Sequence, residues 1–174
     1  LPQKNVDHGA GLERLLAAVE NQQDIFQTSL FSSMVQIIEL STNKSYKEYS
    51  KNIRIVIDHL VASVFIINAG VYPSNKEQGY ILRRLIRRGF DNFYNLGGSD
   101  LSPVIESIAE SYKETDPNLP SNFEEIKNTI LEEEQAYRNT KVHALRFIEK
   151  KYGGRAELFE APMPMGDDLK GIKK

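Results

Sequence analysis

The chain has 174 residues, of which 40% are hydrophobic and 26% charged, ordinary proportions for a soluble protein with one well-buried domain or two small ones. It has no cysteine, which excludes disulfides and thiolate metal sites, and its three histidines, His8, His59 and His143, are scattered, so no metal is expected. The formal charge of −2 argues against a general polyanion binder; no secretory signal is visible, and the apolar run from Leu60 to Ala69 is too short to cross a bilayer, so a cytoplasmic protein with no membrane partner is expected.

Helical spacing dominates after the first ten residues. Gly11 to Glu20 reads as a helix, and Asp24 as the N-cap of a second helix running to about Leu40. A polar loop, Ser41 to Ser45, leads into an amphipathic stretch from Tyr46 to Ala69. That stretch has Ile53, Val56, Ile57, Leu60, Val64 and Ile67 on one face, a break near Asn52 and Gly70 at its C-terminal end. The next helix is expected from Ser74 to Tyr94, closed by Gly97-Gly98. Ser102-Pro103 opens another to Lys113, and Thr115 to Pro120 is a loop. Ser121 and Glu124 have capping-box spacing and predict a helix to Tyr152, about 45 Å long and projecting partly into solvent. Residues 154–174, with Pro162, Pro164, Gly166 and Gly171, lack periodicity and read as a linker or disordered tail. Strand signals are confined to Leu1 to Val6. The expected fold is all-α, an irregular helical bundle with one long C-terminal helix.

Four arginines within six residues, Arg83, Arg84, Arg87 and Arg88, are the most informative feature. At about 100° per residue they fall on one arc of a helix, opposite Leu82, Leu85, Ile86, Gly89 and Phe93. Arg83/Arg87 and Arg84/Arg88 are like-charge i,i+4 pairs, each costing roughly 0.2–0.5 kcal/mol in isolation, so anions must neutralise them. Those anions are either carboxylates of this protein or phosphates of a partner. Both sources exist on charge alone: Lys76 to Arg88 holds five cations against Glu77, whereas Asp100 to Glu134 holds ten acids against Lys113 and Lys127. Ser74 and Glu77 have capping-box spacing, which predicts Ser74 as N-cap and places Asn75 in a first turn where unpaired N–H groups and the helix dipole favour acceptors. Gly79, one turn in, points to close approach by another backbone or a ligand.

Near the N-terminus, Gly9-Ala10-Gly11-Leu12-Glu13-Arg14 reads as a strand-to-helix joint with an arginine on the first turn. It is either a phosphate-facing turn or a tight turn feeding a solvated helix. Three classes of function follow from the residues: a nucleic-acid-binding module, a helical protein–protein interaction scaffold whose arginines pair with its own acids, or a free-standing nucleotide-binding enzyme built around Gly9 to Arg14.

The run Val6-Asp7-His8-Gly9-Ala10-Gly11-Leu12-Glu13-Arg14-Leu15 resembles motif 3 of class II aminoacyl-tRNA synthetases, in the form alanyl-tRNA synthetases use. Ile57-Asp58-His59-Leu60, Gly70-Val71-Tyr72-Pro73-Ser74-Asn75 and Gly79-Tyr80-Ile81-Leu82-Arg83-Arg84-Leu85-Ile86-Arg87-Arg88 resemble the helical tRNA-recognition region of that family. The resemblance covers roughly residues 1–150. It implies that residues 1–20 are a remnant of a class II catalytic domain, 21–153 a helical tRNA-recognition domain, and 154–174 a linker. It further implies an ATP-binding role for Gly11, Glu13 and Arg14, Arg14 contacting phosphate, and a tRNA-binding role for Asn75, Arg83, Arg84, Arg87 and Arg88. Asn75 matches the family's asparagine that reads a G·U wobble pair in the acceptor stem from its minor groove. The partners implied are the tRNA(Ala) acceptor stem and, for the parent ligase, ATP and alanine. Leu1 in place of Met is in keeping with a piece of a longer chain, inactive alone, with the rest of the adenylation site upstream.

Overall fold

The structure, a computed structural model, describes residues 9–152. The strand expected over Leu1 to Val6, Asp7, His8 and the tail at 154–174 lie outside the described residues. The elements in chain order are α1 (Leu12–Val19), a 3-10 turn (Ile25–Gln27), α2 (Ser32–Thr42), α3 (Tyr46–Asn68), α4 (Glu77–Asn95), α5 (Ser102–Tyr112) and α6 (Leu119–Tyr152), with no strand among the described residues. This is the all-α bundle that the 3.6-residue periodicity predicts.

The axis of the bundle is α3, the most apolar of the long helices. Its stripe of Ile53, Val56, Ile57, Leu60, Val64 and Ile67 is buried against Met34, Val35 and Ile38 of α2, Leu82, Ile86, Phe90 and Phe93 of α4, Val104, Ile105 and Ile108 of α5, and Ile126 and Ile130 of α6. Each such side chain stabilises the fold by about 1.5–3 kcal/mol relative to exposure. The α3 and α4 helices run antiparallel: Asn52 donates to Asn92 at 3.0 Å near one end, and Leu60 meets Gly89 farther along.

The two glycine stops behave as predicted. Gly70 (φ +85) follows α3, and the N–H groups of Gly70 and Val71 donate to Ile67 and Ile66 at 2.8 and 3.2 Å. Gly97 (φ +91) closes α4 in the same way, its N–H donating to Tyr94 and that of Gly98 to Phe93. These are paired Schellman closures, which need a residue tolerant of positive φ.

Two helix starts and one helix break differ from expectation. Asp24 caps only the 3-10 turn, accepting from the Phe26 N–H at 3.1 Å. The hydroxyl of buried Thr28 bonds the Ile25 carbonyl at 2.6 Å, and α2 starts afresh at Ser32. The break expected near Asn52 is a kink at Tyr49 (φ −114, ψ 25). In α6 the start is Leu119, whose side chain is fully buried, ahead of the expected Ser121. Pro120 is tolerated because its missing N–H falls in the first turn. At 34 residues, α6 is about 51 Å long.

The α1 helix is less embedded. Only Ala17 is buried, while Leu12, Leu15 and Val19 are exposed on one face. Its anchors are polar: Glu20 accepts from the Ser29 N–H at 2.9 Å. Burial, with the charge of Glu13 added, pushes the Tyr112 hydroxyl on α5 up to about 12.

Candidate nucleic-acid interface

The N-terminus of α4 departs from the predicted capping box in a way that changes the presentation of Asn75. Ser74 is not the N-cap; Lys76 occupies that position with extended backbone. The Ser74 hydroxyl is instead used locally, donating to the Lys76 carbonyl at 3.0 Å, and the Ser74 N–H donates to the Gly79 carbonyl at 3.1 Å. Residues 73–76 therefore fold back over the first turn of α4. Asn75 lies exposed in this loop, ahead of the helix instead of inside its first turn.

The fold-back explains Gly79. A Cβ there would come within 2.5 Å of the Tyr72 carbonyl oxygen and would also collide with the Ser74 side chain. The approaching group is another stretch of backbone, one of the two possibilities its position raised. Glu77, between loop and helix, has φ +49, a conformation costing roughly 1–2 kcal/mol for a residue with a Cβ. The local fold thus holds strain where it presents Asn75.

The four arginines divide between two surfaces. Arg83 and Arg87 face α6, where Glu133, only 7% exposed, takes both: its Oε1 accepts from Arg83 Nε at 3.2 Å and from Arg87 Nε and Nη2 at 2.7 Å each. The Arg83 Nη1 reaches the other way and donates to Asn75 Oδ1. The α4 and α6 helices run in the same direction here, so Arg83, Arg87 and Asp91 meet Glu133, Tyr137 and Lys141 in register. Arg87 lies over the Tyr137 ring at 5.0 Å; Tyr137 donates its hydroxyl to Asp91 at 2.8 Å, and Lys141 bonds the same carboxylate at 2.9 Å. Burial, then the bond and charge of Asp91, push the Tyr137 hydroxyl above the ordinary tyrosine range, while Arg87 pulls the other way.

Arg84 and Arg88 lie about 100° round α4 from Arg83 and Arg87. Arg88 is exposed, Arg84 is half-buried with its guanidinium over the Tyr80 ring at 5.8 Å, and Ile81 beside them is 56% exposed. One carboxylate serving two guanidiniums leaves a net positive charge at Arg83 and Arg87, to which Arg88 and Lys76 add. Much of the remaining acid is paired with other cations: Glu106 with Lys127, Glu110 with Lys113 and Glu134 with Arg138. The α4 N-terminal region is a cationic surface with an amide at its tip.

At the other candidate site, Gly11 is the N-cap of α1 with extended backbone, and the Leu15 N–H donates to its carbonyl at 3.1 Å. Arg14 is exposed and Glu13 half-buried, and the aliphatic part of Arg14 passes within 3.7 Å of where a Gly11 Cβ would lie. The glycine leaves the arginine free to fold back over the turn. Among the described residues no group of three or more His, Asp or Glu is placed to hold a metal ion, and no helix is long and apolar enough to cross a membrane.

In the sequence Glu133 stands only as one of several acids that the arginines could meet. A sharper signal lies in its spacing: Ile126, Ile130, Glu133 and Tyr137 recur at i, i+4, i+7 and i+11, so an acid occupies a position of the buried stripe of α6. An acid there needs a cationic partner. Tyr80 and Ile81 stand in the sequence only as parts of a motif; their exposure next to the arginines depends on the angle at which α4 meets α3.

The chain matches the family described as tRNA synthetases class II (A) over residues 1–160. It is 39% identical over 144 residues to the alanine–tRNA ligase of Elusimicrobium minutum, covering 80% of this chain and 17% of that protein. It is 35% identical over 156 residues to that of Mycoplasma capricolum, covering 80% and 17%, and 32% identical over 175 residues to that of Desulfosudis oleivorans, covering 95% and 20%. The chain thus spans about a fifth of the length of these relatives. With the motif-bearing turn at α1, the arginine helix and this match over nearly all its residues, the chain belongs to the class II (A) tRNA synthetase family.

Proposed function

We propose that this chain is the acceptor-stem-binding segment of an alanine–tRNA ligase, an enzyme that activates alanine with ATP and attaches it to tRNA(Ala) in the cytoplasm. The observation that carries the reading is the exposed Asn75 amide, held by Arg83 at the edge of a cationic helical surface. The names of the relatives and their extent of identity support it.

The chemistry is direct. An A-form minor groove is wide and shallow and offers base edges and 2′-hydroxyls. A guanine in a wobble pair presents its 2-amino donor there, and Asn75 Oδ1 keeps a second lone pair beyond the one given to Arg83, while Nδ2 has two donors. Arg84 and Arg88 contact phosphates and set the register of the stem, and Tyr80 and Ile81 lie against the sugar edge. Arg83 and Arg87, a quarter exposed, add a near-field positive charge. Gly11, Glu13 and Arg14 form the ATP-facing turn of the adenylation site, Arg14 directed at phosphate, with ATP and alanine as substrates of the whole ligase and no metal taken by this segment.

Binding of an acceptor-stem hairpin RNA, titrated at several salt concentrations, tests the reading. Affinity is expected to fall linearly on a log–log plot, and Arg84→Glu with Arg88→Glu is expected to weaken it at least about tenfold and flatten the slope by about 0.7–0.9 per lost phosphate contact. Absence of binding at low salt would leave the second reading, a helical protein–protein interaction scaffold. The specific observation favouring that reading is the capture of Arg83 and Arg87 by Glu133.

A further inference from the structure

We infer that Glu133 is a positioning residue for base recognition: through Arg83 it fixes the direction in which Asn75 presents its amide, and at the same time it keeps two guanidiniums away from the phosphates. This rests on the proposed role of Asn75 in reading the stem.

Asn75 is exposed in a loop, where an unrestrained amide would sample several rotamers and lose selectivity between a donor and an acceptor on a base edge. Here it is restrained. Its Oδ1 accepts from Arg83 Nη1, and the plane of that guanidinium is set by the Nε bond to Glu133 at 3.2 Å. A guanidinium is a rigid fork, so fixing Nε fixes where Nη1 points. Glu133 is in turn clamped by Arg87, which lies over Tyr137, itself bonded to Asp91. The contacts form a continuous line from an exposed loop to a buried position in α6.

The bundle alone does not require this arrangement. An apolar side chain in the stripe of Ile126, Ile130 and Tyr137 would pack without the desolvation cost of a carboxylate, and buried ion pairs are often no more stabilising than hydrophobic replacements. What the carboxylate adds is direction. It also determines how positive charge is divided: Arg83 and Arg87 serve the amide while Arg88 is exposed.

The test uses the full 174-residue chain and two acceptor-stem hairpins that differ in one base pair, G·U against G·C. In Glu133→Gln, discrimination between the stems is expected to fall about fivefold to tenfold. Affinity for the G·C stem is expected to hold or rise, with a salt slope steeper by about one phosphate contact, because two guanidiniums are released. Helical circular dichroism and the thermal midpoint monitor folding. Arg83→Lys keeps the charge but replaces the rigid fork by a rotatable ammonium that sets no direction for the amide, so it should lose discrimination with no change in slope. These opposite movements of selectivity and salt slope are not what loss of structure produces.

Retention of full discrimination by Glu133→Gln and Arg83→Lys, while Asn75→Ala abolishes it, would overturn the role of Glu133 and leave Asn75 as the reader. A parallel loss of affinity for both stems would reduce Glu133 to a structural residue. A wild-type chain that binds neither stem, or whose discrimination survives Asn75→Ala, would remove the reading of Asn75 and this inference with it.

Discussion

Gly79 lets the loop at 73–76 pack against the first turn of α4. Because the Tyr72 carbonyl oxygen lies within 2.5 Å of where a Cβ would be, Gly79→Ala cannot be relieved by turning the Ser74 side chain alone and must move backbone. We expect a loss of about 1–3 kcal/mol, measured as a lowered urea midpoint, together with weakened stem binding. A second single-residue effect concerns Asp24. Burial raises its carboxyl, but bonds from Tyr46, Arg54 and the Phe26 N–H, with the charge of Arg54, outweigh this and hold it below 3.8. A depressed folded value contributes stability that is present above the unfolded value and lost as pH falls through the folded one. The urea midpoint of the wild type should therefore drop between pH ~5 and ~3 more steeply than that of Asp24→Asn. Equal slopes would show that this clasp between the 3-10 turn and α3 carries no linkage.

At the scale of elements, α6 changes character along its length. Up to Tyr137 it buries Leu119, Ile126, Ile130 and Tyr137 against the bundle; beyond, Val142, Leu145 and Phe147 are exposed. Hydrogen exchange should show protected amides through about Tyr137 and rapid exchange from Val142 onward, since local opening there exposes little new apolar surface. Uniform protection along α6 would contradict this division. The presence of these helices could be read from periodicity because burying one face is the main driving force for a helix of ten or more residues. Their starts could not. Ser74 satisfies the letters of a capping box, yet its hydroxyl bonds Lys76 and its N–H bonds Gly79, a competition between local side-chain bonding and helix propagation that spacing does not decide. Leu119 begins α6 early because its fully buried side chain anchors the start of the helix in the core, a fact of tertiary packing.

For the whole molecule, the division of charge is what connects fold to activity. The sequence placed four arginines on one arc and offered two sources of anion; the bundle gives Arg83 and Arg87 to its own Glu133 and turns Arg88 outward. That outcome depends on α4 and α6 lying in register, a relation between segments 50 residues apart in the case of Arg83 and Glu133 and therefore invisible to local spacing. The recognition role proposed for Asn75 rests in the sequence on the resemblance of its motif, and its exposure in a loop, not a helical turn, came from the fold. On the proposed reading the turn at Gly11 to Arg14 is a part and not a whole site: titration of this chain with ATP should give no saturable binding, and saturable binding would assign it a nucleotide site of its own.

The most direct measurement is the difference in affinity of the chain for acceptor-stem hairpins carrying G·U or G·C, followed across salt and repeated with Asn75→Ala. A preference for the wobble stem that disappears in the variant, on top of a salt-dependent attraction common to both stems, is the predicted result. Equal affinity for the two stems in the wild type, or no association at low salt, would contradict the claim that this cationic surface and its amide read the stem.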